Sequence, residues 1–286
     1  MTHDSELVKQ RIEDFYNGDV QDYHARNYIS AGSYSPLKYR QYYIENMIAK
    51  QQLPKNAKIL DVGCGPGELI SNLLKKGYNV WGVDISRGMI DEATDTIRKT
   101  GFRDWNQAAV GDIERLQFED NYFDVVIASG VIEYQKDDRA SLLEMHRVLK
   151  PNGLMILNVT NRRAYVTALE SLFVRFKRNR VSRAFLETIK SSVLRQGKIK
   201  DRQFHPDRRT HVPTMFDRQV ADAGFEKVSH NYFHFSLLPK PFDHLLGRIN
   251  SSVANKMEAL LTRSRVGFLG GGYLILARKR AAAARV

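Results

Sequence analysis

Cysteine, long apolar runs and repeated segments are scarce in this chain of 286 residues. Its single cysteine excludes a disulfide framework and a cysteine-rich zinc site, and is typical of a reducing compartment. The longest apolar stretch near the C-terminus, GFLGGGYLILA, is too short to span a bilayer. The polar and acidic start, MTHDSELVKQRIEDFYNGD, lacks the pattern of a secretory signal. These absences predict a cytoplasmic protein with no membrane span.

Positive charge, in contrast, is abundant and confined to one segment. The net charge is +12, and residues 162–209 contain 14 Lys and Arg against 4 Asp and Glu. The rest of the chain carries 30 basic against 28 acidic residues and is nearly balanced. The basic segment therefore needs an explanation of its own, separate from the core.

Short apolar runs alternate with stretches of helical spacing along most of the chain. The predicted strands lie within residues 59–62, 79–86, 106–116, 123–134, 153–159, 227–236 and 271–279, and the predicted helices within 68–74, 89–99, 140–149 and 214–223. Strands that alternate with helices predict an α/β fold, in which a doubly wound, mostly parallel sheet is covered on both faces.

The stretch KILDVGCGPGELI, residues 58–70, places three glycines between the first strand and the first helix of this alternation. A glycine-rich turn lets the backbone approach a ligand closely, because no side chains intervene. An open α/β sheet binds its ligands beyond the carboxyl ends of its strands. Gly63, Gly65 and Gly67 are therefore candidate ligand-binding residues.

Two acidic residues follow the next strands and complete a predicted nucleoside site. Asp84 ends the second strand, where its carboxylate could accept hydrogen bonds from two ribose hydroxyls. Asp112 follows the third strand, where it could accept a hydrogen bond from an adenine amino group. A helix-capping role for Asp84 is compatible with ribose binding.

The glycine spacing argues against a dinucleotide. The dinucleotide fingerprint is G-x-G-x-x-G, whereas this chain has Gly63-x-Gly65-x-Gly67, and Glu68 occupies the expected position of the third glycine. An acid beside a pyrophosphate would cost about 1–4 kcal/mol at 4 Å. Asp61 adds a second carboxylate just before the turn. Two carboxylates suit a cationic ligand such as S-adenosylmethionine, which carries a sulfonium and an ammonium.

Five segments, in order and spacing, resemble the motifs of the class I S-adenosylmethionine-dependent methyltransferases, including the ubiquinone-type O-methyltransferases. They are ILDVGCGPG, VWGVDIS, AAVGDIERL, FDVVIASGVIEY and HRVLKPNGLMILNV. The resemblance is close over residues 53–160 and looser over 210–279, and it implies a seven-stranded sheet whose last strand is antiparallel. It implies that the methionine end is held by Asp61 and the glycines, the ribose by Asp84, and the adenine by Ile85, Met89, Asp112 and Ile113, with Ser129 beside the sulfonium. The alternative for Ser129 is a small residue at a crowded backbone.

A base is the next requirement if the methyl acceptor is an oxygen or a nitrogen. In the ubiquinone-type enzymes a Thr-His pair precedes a helix near the substrate mouth, and Thr210-His211 looks similar. We take His211 as the candidate base; the alternative is a loop histidine that orients the backbone. The relatives have Glu-His after the fourth strand, whereas this chain has Glu133-Tyr134, which puts a quinone substrate and metal assistance in doubt. We predict no metal site.

The chain divides into four predicted parts. Residues 1–52 form an N-terminal helical cap, 53–160 the cofactor-binding core, 161–209 a basic helical insert, and 210–280 complete the sheet with a further cap helix around 243–262. Residues 165–196 have helical spacing with Phe and Leu on one face. Three roles stay open for residues 165–202: a lid, contact with an anionic membrane surface at the inner face of the membrane, or contact with nucleic acid, which we favour least.

Three functions of different class follow from these patterns. The first is a methyltransferase that modifies an oxygen or nitrogen of a hydrophobic small molecule or lipid-like metabolite and leaves S-adenosylhomocysteine. The second is an RNA methyltransferase that binds phosphate through the basic insert. Against it, the segment ASGVIEY lacks the Asn/Asp-Pro-Pro-aromatic turn of enzymes that methylate amino groups of nucleic acids. The third is a cofactor-binding protein without turnover.

Overall fold

The computed structural model describes residues 2–25, 28, 35–169, 208–235, 247–262, 264 and 266–281. The helices are α1 (Thr2–Asn17), α2 (Val20–His24), α3 (Pro36–Ala49), α4 (Glu68–Lys75), α5 (Arg87–Lys99), α6 (Asp138–Val148), α7 (Pro213–Asp222) and α8 (Gly247–Leu261). The strands are β1 (Lys58–Val62), β2 (Asn79–Asp84), β3 (Ala108–Val110), β4 (Phe123–Ser129), β5 (Leu149–Thr160), β6 (Phe225–Phe233) and β7 (Gly272–Lys279).

The seven strands form one sheet in the order β3-β2-β1-β4-β5-β7-β6. The first five strands are parallel, and β7 lies antiparallel between β5 and β6. The chain runs outward from β1 to β3 on one side and from β4 to β6 on the other, so the topology switches between β1 and β4. The predicted doubly wound, seven-stranded and mostly parallel sheet is confirmed.

Two layers of buried side chains hold helices on the faces of this sheet. One cluster joins the strands to α6 and α7, through residues such as Met145 and Phe216. The other joins them to α3, α4 and α5, through residues such as Ile44, Leu73 and Ile97. Burial of such apolar surface, at about 25 cal/mol per Å², is what fixes the sheet and so places the carboxyl ends of its strands at one edge.

Two boundaries differ from those predicted. β2 ends at Asp84, and α5 begins at Arg87, because Ser86 caps the helix with its hydroxyl, which accepts a hydrogen bond from Met89 N at 3.1 Å. The sequence KPNG does end α6, but it lies within β5, which pairs with β4 from Leu149 onward through an irregular register. Asn152 there has a φ of +63°, which makes the bend possible.

The last cap helix is attached through a polar contact. Among the described side chains of α8, Ala254 and Glu258 are buried, whereas Leu260 is 73% exposed. The Glu258 carboxylate accepts hydrogen bonds from the backbone N–H groups of His234 and Phe235, so that α8 attaches beside the end of β6 through a polar face. A period of apolar residues could not reveal this, because the docking residue is charged.

Two tyrosines of α3 reach the C-terminal part of the chain. Tyr39 donates a hydrogen bond to Asn255 Oδ1 at 2.8 Å, and the Tyr43 hydroxyl lies 3.1 Å from Thr262 Oγ1. Both therefore bind α3 to the C-terminal half of the chain.

Most of the basic insert, residues 170–207, lies outside the described residues, and so do Tyr34 and His205. Residues 165–169 are helical. No helix in the described part of the chain is long and apolar enough to cross a bilayer.

Candidate functional site

The predicted site residues follow consecutive strands and meet at the carboxyl edge of the sheet. The glycine turn follows β1, Asp84 ends β2, Asp112 follows β3, and Ser129 ends β4. His211 reaches the same edge through a parallel bridge to Asn161, which follows β5. The fold therefore places the predicted cofactor and base residues along one side of the molecule.

The three glycines of the turn all have positive φ values but face different surroundings. A Cβ on Gly63 would lie 2.0 Å from Val131 Cγ2, and one on Gly67 would lie 3.0 Å from the Ala93 backbone in α5. These two glycines permit close packing. A Cβ on Gly65, where φ is +51°, would meet no atom within 4 Å. Gly65 is therefore the glycine that faces open space, where a ligand can approach the backbone.

Asp84 is bonded directly to this turn. Its Oδ2 accepts a hydrogen bond from Gly65 N at 2.9 Å, and its Oδ1 accepts one from Ser86 N at 2.9 Å. Burial raises the pKa of Asp84, while the backbone N–H groups of Ser86, Gly65 and Ile85 oppose the rise. A carboxylate has about four lone-pair sites, so Asp84 keeps acceptor capacity for a ligand hydroxyl.

Asp61 is a buried carboxylate, 3% exposed, that takes part in none of the hydrogen bonds found among the described residues. Burial raises its pKa to about 7, an effect that the Arg40 guanidinium lowers and the nearby Asp84 raises further. A cation bound beside Asp61 would favour the ionised carboxylate. This agrees with the prediction that the two carboxylates suit a cationic ligand.

Arg40, on α3, belongs to this edge, and sequence reasoning missed it. Its Nη1 lies 2.6 Å from where a Cβ of Gly130 would be, just after β4. Its Nε is buried and has no hydrogen-bond partner among the described residues. A guanidinium next to a carboxylate-lined turn can pair with the carboxylate end of an amino-acid ligand. The local sequence SPLKYRQYY gives no signal for this, because Arg40 reads as one solvated charge on an ordinary helix.

The predicted adenine residues lie beside the ends of β2 and β3. Met89 and Ile113 are buried, and Ile85 is half-buried. Asp112 is already engaged: Oδ1 accepts a hydrogen bond from Glu114 N at 3.0 Å, and Oδ2 lies 2.5 Å from Lys9 Nζ. Its role toward adenine stays a prediction, with Lys9 of α1 as an added neighbour.

Ser129, the last residue of β4, lies at the carboxyl edge with a hydroxyl that is free to bind a ligand. Its Oγ is buried and forms no hydrogen bond within the described part of the chain. A buried hydroxyl without a partner costs about 1–3 kcal/mol, which a ligand atom would relieve. This observation is compatible with a position next to the cofactor.

His211 forms a pair with Asp138, the first residue of α6. His211 Nε2 lies 3.1 Å from Asp138 Oδ2 and 3.2 Å from Oδ1, and Arg209 also bonds Asp138. Burial opposes ionisation of Asp138, but the hydrogen bonds from His211 and Arg209 prevail and lower its pKa. An ionised carboxylate only accepts hydrogen bonds, so Nε2 carries a proton. Sequence reasoning missed Asp138, because an acid in a first helical turn reads as a partner of the helix dipole.

The free nitrogen of His211 is its Nδ1. This atom is buried and has no partner among the described residues, in a side chain that is 7% exposed. With Nε2 protonated, Nδ1 of the neutral ring has a lone pair. The arrangement can therefore accept a proton at Nδ1, with Asp138 orienting the ring.

Glu133 fastens the predicted base segment to the edge. Its Oε2 accepts hydrogen bonds from Thr160 N and Oγ1, both at 2.9 Å, and its Oε1 lies 3.4 Å from Arg208 Nη1. Its backbone oxygen accepts a bond from Arg209 N. Glu133, which matches the Glu of the Glu-His pair, therefore has a structural role, and the position that differs is Tyr134.

Tyr134 belongs to a row of tyrosines along the edge. Its hydroxyl lies 2.9 Å from that of Tyr16, and the Tyr16, Tyr23 and Tyr28 rings follow one another at centroid distances of 5.8 and 6.4 Å. Burial is the first cause of the raised pKa of all four, so they are neutral at physiological pH. Such a wall suits an apolar or aromatic molecule.

Comparisons with known proteins bear on the central region. Residues 60–157 match the family model described as a methyltransferase domain. A ubiquinone biosynthesis O-methyltransferase of Rickettsia prowazekii is 32% identical over 123 residues, which cover 43% of this chain and 47% of that protein. The chain thus spans about half the length of the curated relatives it matches.

Two solved structures are similar over nearly the whole chain. The magnesium protoporphyrin IX methyltransferase of Synechocystis PCC 6803 with bound SAH has a TM-score of 0.58 at 16% identity, covering 95% of this chain and 99% of that one. The [4+2]-cyclase SpnF has a TM-score of 0.60 at 15% identity, covering 96% and 97%. At such identities the likeness concerns the fold alone.

Proposed function

We propose that the chain, in which residues 60–157 form a class I S-adenosylmethionine-dependent methyltransferase domain, methylates an oxygen or nitrogen of a hydrophobic small molecule or lipid-like metabolite. The observation that carries this proposal is the carboxyl edge, where a cation-favouring Asp61, a diol-binding Asp84 and the open face of Gly65 adjoin each other. The relative named for O-methylation in ubiquinone biosynthesis supports oxygen as the acceptor atom.

Different residues of the edge would bind different parts of the cofactor. Asp61 and Arg40 would hold the methionine ammonium and carboxylate, Asp84 the ribose hydroxyls, and Met89 and Ile113 the adenine. The bound cofactor supplies a methyl group activated by its sulfonium. Much of the rate in such a displacement can come from positioning.

The acceptor would lie between the cofactor and His211. His211 Nδ1 would take the proton that the acceptor hydroxyl or amine loses when it receives the methyl group, whose bond to the sulfonium sulfur breaks and leaves S-adenosylhomocysteine. Asp138 keeps Nε2 protonated and stabilises the imidazolium that results. The row of tyrosines that ends at Tyr134 provides an apolar wall for a hydrophobic acceptor.

A role for residues 165–202 at an anionic membrane surface is part of the proposal and rests on their charge. The described residues stop at Leu169 and resume at Arg208, which contacts Glu133 at this edge. The positive charge of the segment suits an anionic lipid surface, from which a hydrophobic acceptor would be delivered.

Methyl transfer can be tested with methyl-labelled S-adenosylmethionine and defined acceptors: an alkylated catechol, an alkylated phenol, an aliphatic amine and RNA. We expect label in one of the hydrophobic small molecules. Turnover is the decisive readout because one fold supports different reactions. Label found in RNA alone, or no labelled product with any acceptor, would contradict the proposal.

The base can be tested by replacing His211 with Ala. We expect a fall in kcat of about 10²-fold or more, with an unchanged affinity for S-adenosylhomocysteine. His146→Ala, which alters a partly buried histidine of α6 that contacts Phe225, is the matched control and should retain turnover. Normal turnover in His211→Ala would remove His211 from the mechanism.

A further inference from the structure

The N-terminal residues 2–25, which we call the N-terminal clasp, touch the cofactor edge at three polar points. Lys9 on α1 pairs with both Asp112 and Glu114, after β3. Asn17, at the end of α1, accepts hydrogen bonds at its Oδ1 from Ser86 Oγ at 2.7 Å and Gly88 N at 3.0 Å. These contacts lie in loops that the proposed function assigns to the cofactor.

The third point is His24 on α2, which bridges two carboxylates. Its Nε2 lies 2.8 Å from Glu68 Oε1, at the start of α4, and its Nδ1 lies 2.7 Å from Glu92 Oε1 on α5. Its side chain is 10% exposed. Glu68 directly follows the glycine turn, so His24 joins α2 to the segment that leaves β1.

The three anchors therefore bind the three loops that surround the predicted cofactor, one after each of β1, β2 and β3. Close packing accompanies them: a Cβ on Gly88 would lie 2.8 Å from Val20 Cγ2 on α2. Asn17 also acts on Asp84 through Ser86, whose backbone N–H donates to Asp84 while its hydroxyl donates to Asn17.

The clasp contributes nothing to either core layer. Among the described residues, no side chain of α1 or α2 belongs to the two buried clusters of the sheet, whereas α3 contributes Ile44, Met47 and Ile48. Ile12 is the buried aliphatic residue of α1, and Leu7 and Val8 are exposed. Tyr16 packs against Tyr23 and Tyr134 at the edge, and these contacts too lie outside both clusters. An element attached outside the core can open without unfolding the rest.

We infer that the N-terminal clasp is a cofactor-gating element in which Lys9, Asn17 and His24 are positioning residues. The inference rests on the proposed function, since it takes the loops after β1, β2 and β3 as the cofactor site. A cofactor that orders these loops favours the closed clasp, and the closed clasp by the same coupling slows cofactor release. Exchange of S-adenosylhomocysteine for S-adenosylmethionine then requires α1 and α2 to lift.

The test measures S-adenosylhomocysteine dissociation and amide hydrogen exchange in the full chain. We expect bound S-adenosylhomocysteine to slow exchange in residues 6–25, and His24→Gln to speed dissociation about five-fold or more. The single amide group of Gln cannot reach two carboxylates on opposite sides, as the two ring nitrogens of His24 do. Lys9→Met should act in the same direction, and Lys9→Arg should restore slow release.

Leu7→Ala, which changes an exposed side chain of the same helix, is the matched control and should leave the dissociation rate unchanged. Thermal unfolding of each variant shows whether the core persists. An unchanged dissociation rate in both His24→Gln and Lys9→Met, or no protection of residues 6–25 on binding, overturns the clasp while the proposed function stands. No binding of S-adenosylhomocysteine to the wild type overturns both.

Discussion

The seven-stranded sheet and the N-terminal clasp both contribute to the cofactor edge, yet they are attached in different ways. The sheet is fixed by continuous burial, with β4 residues such as Phe123, Val125 and Ile127 fully buried. The clasp is attached through polar contacts of Lys9, Asn17 and His24 and through the Tyr16 ring, which packs against Tyr23 and Tyr134. Because the clasp adds no described side chain to the two buried clusters of the sheet, it can move while the strands that position the carboxylates stay in place.

Truncation of the sheet core should have the largest effect on stability. Phe123 packs against Trp81, Phe118 and Tyr122 with no exposed surface. We expect Phe123→Ala to lower the free energy of unfolding by about 3–5 kcal/mol in urea titrations. Leu143→Ala, on the exposed face of α6, is the control and should change it by about 0.5 kcal/mol or less. Equal losses would mean that the packing described for β4 is wrong.

The glycine turn should show the next largest effect, on ligand affinity. Gly65 and Gly101 both have positive φ, and a Cβ on either meets nothing within 4 Å. Alanine should therefore strain both backbones similarly, by about 1 kcal/mol. Only Gly65→Ala should weaken S-adenosylhomocysteine binding, by about 5–150-fold, because its methyl group enters the ligand space. Isothermal titration distinguishes the two, and equal affinities would place the ligand away from Gly65.

Asp61 should make cofactor affinity depend on pH. Its pKa is raised to about 7, so below that pH a proton must leave before the carboxylate can pair with a cation. Affinity for S-adenosylmethionine should rise up to about ten-fold per pH unit toward pH 7 and level off above it. Asp61→Asn should flatten the profile. A wild-type profile that falls with pH would contradict the assigned role.

In the absence of ligand, Asp61 should make the free energy of unfolding decline as pH rises, which is opposite to the trend in cofactor affinity. The folded state holds the Asp61 proton more tightly than the unfolded state, so its contribution to the free energy of unfolding declines as pH rises from about 4 to about 7. Chemical unfolding at pH 5 and pH 8 should therefore show a smaller decline in Asp61→Asn than in the wild type. An equal decline in both proteins would mean that Asp61 ionises normally.

The smallest effect should come from the clasp. Asn17→Ala removes the hydrogen bonds from Ser86 Oγ and Gly88 N and should cost about 0.5–1.5 kcal/mol at most. Thermal unfolding should barely change, whereas release of S-adenosylhomocysteine should quicken. A loss of stability as large as that of Phe123→Ala would show that α1 is part of the core.

The family resemblance and the alternation of strands and helices could be predicted from the sequence, because both depend on local patterns. Apolar runs that end in Asp61, Asp84 and Ser129 predict strands and their carboxyl ends. The glycine spacing argues against a dinucleotide site. The predicted resemblance to methyltransferases is matched by the methyltransferase-domain family model over residues 60–157, and dependence on S-adenosylmethionine belongs to the proposed function.

The partners of the predicted residues could not be read in the same way. Arg40, Asp138 and Lys9 lie 21, 73 and 103 positions from Asp61, His211 and Asp112, the residues they serve. A single side chain gives no periodic signal, so its contact exists only once the fold brings distant segments together. For the same reason the contact of Glu258 with the end of β6 could not be predicted from the sequence.

The central claim is that the loops after β1 and β2 hold S-adenosylmethionine. Titration of S-adenosylhomocysteine into the wild type and into Asp84→Asn, followed by calorimetry, tests it most directly. We predict one site per chain in the wild type and an affinity about ten-fold or more lower in Asp84→Asn, because hydrogen bonds to the charged carboxylate are lost. No binding to the wild type, or an unchanged affinity in the variant, would contradict the account.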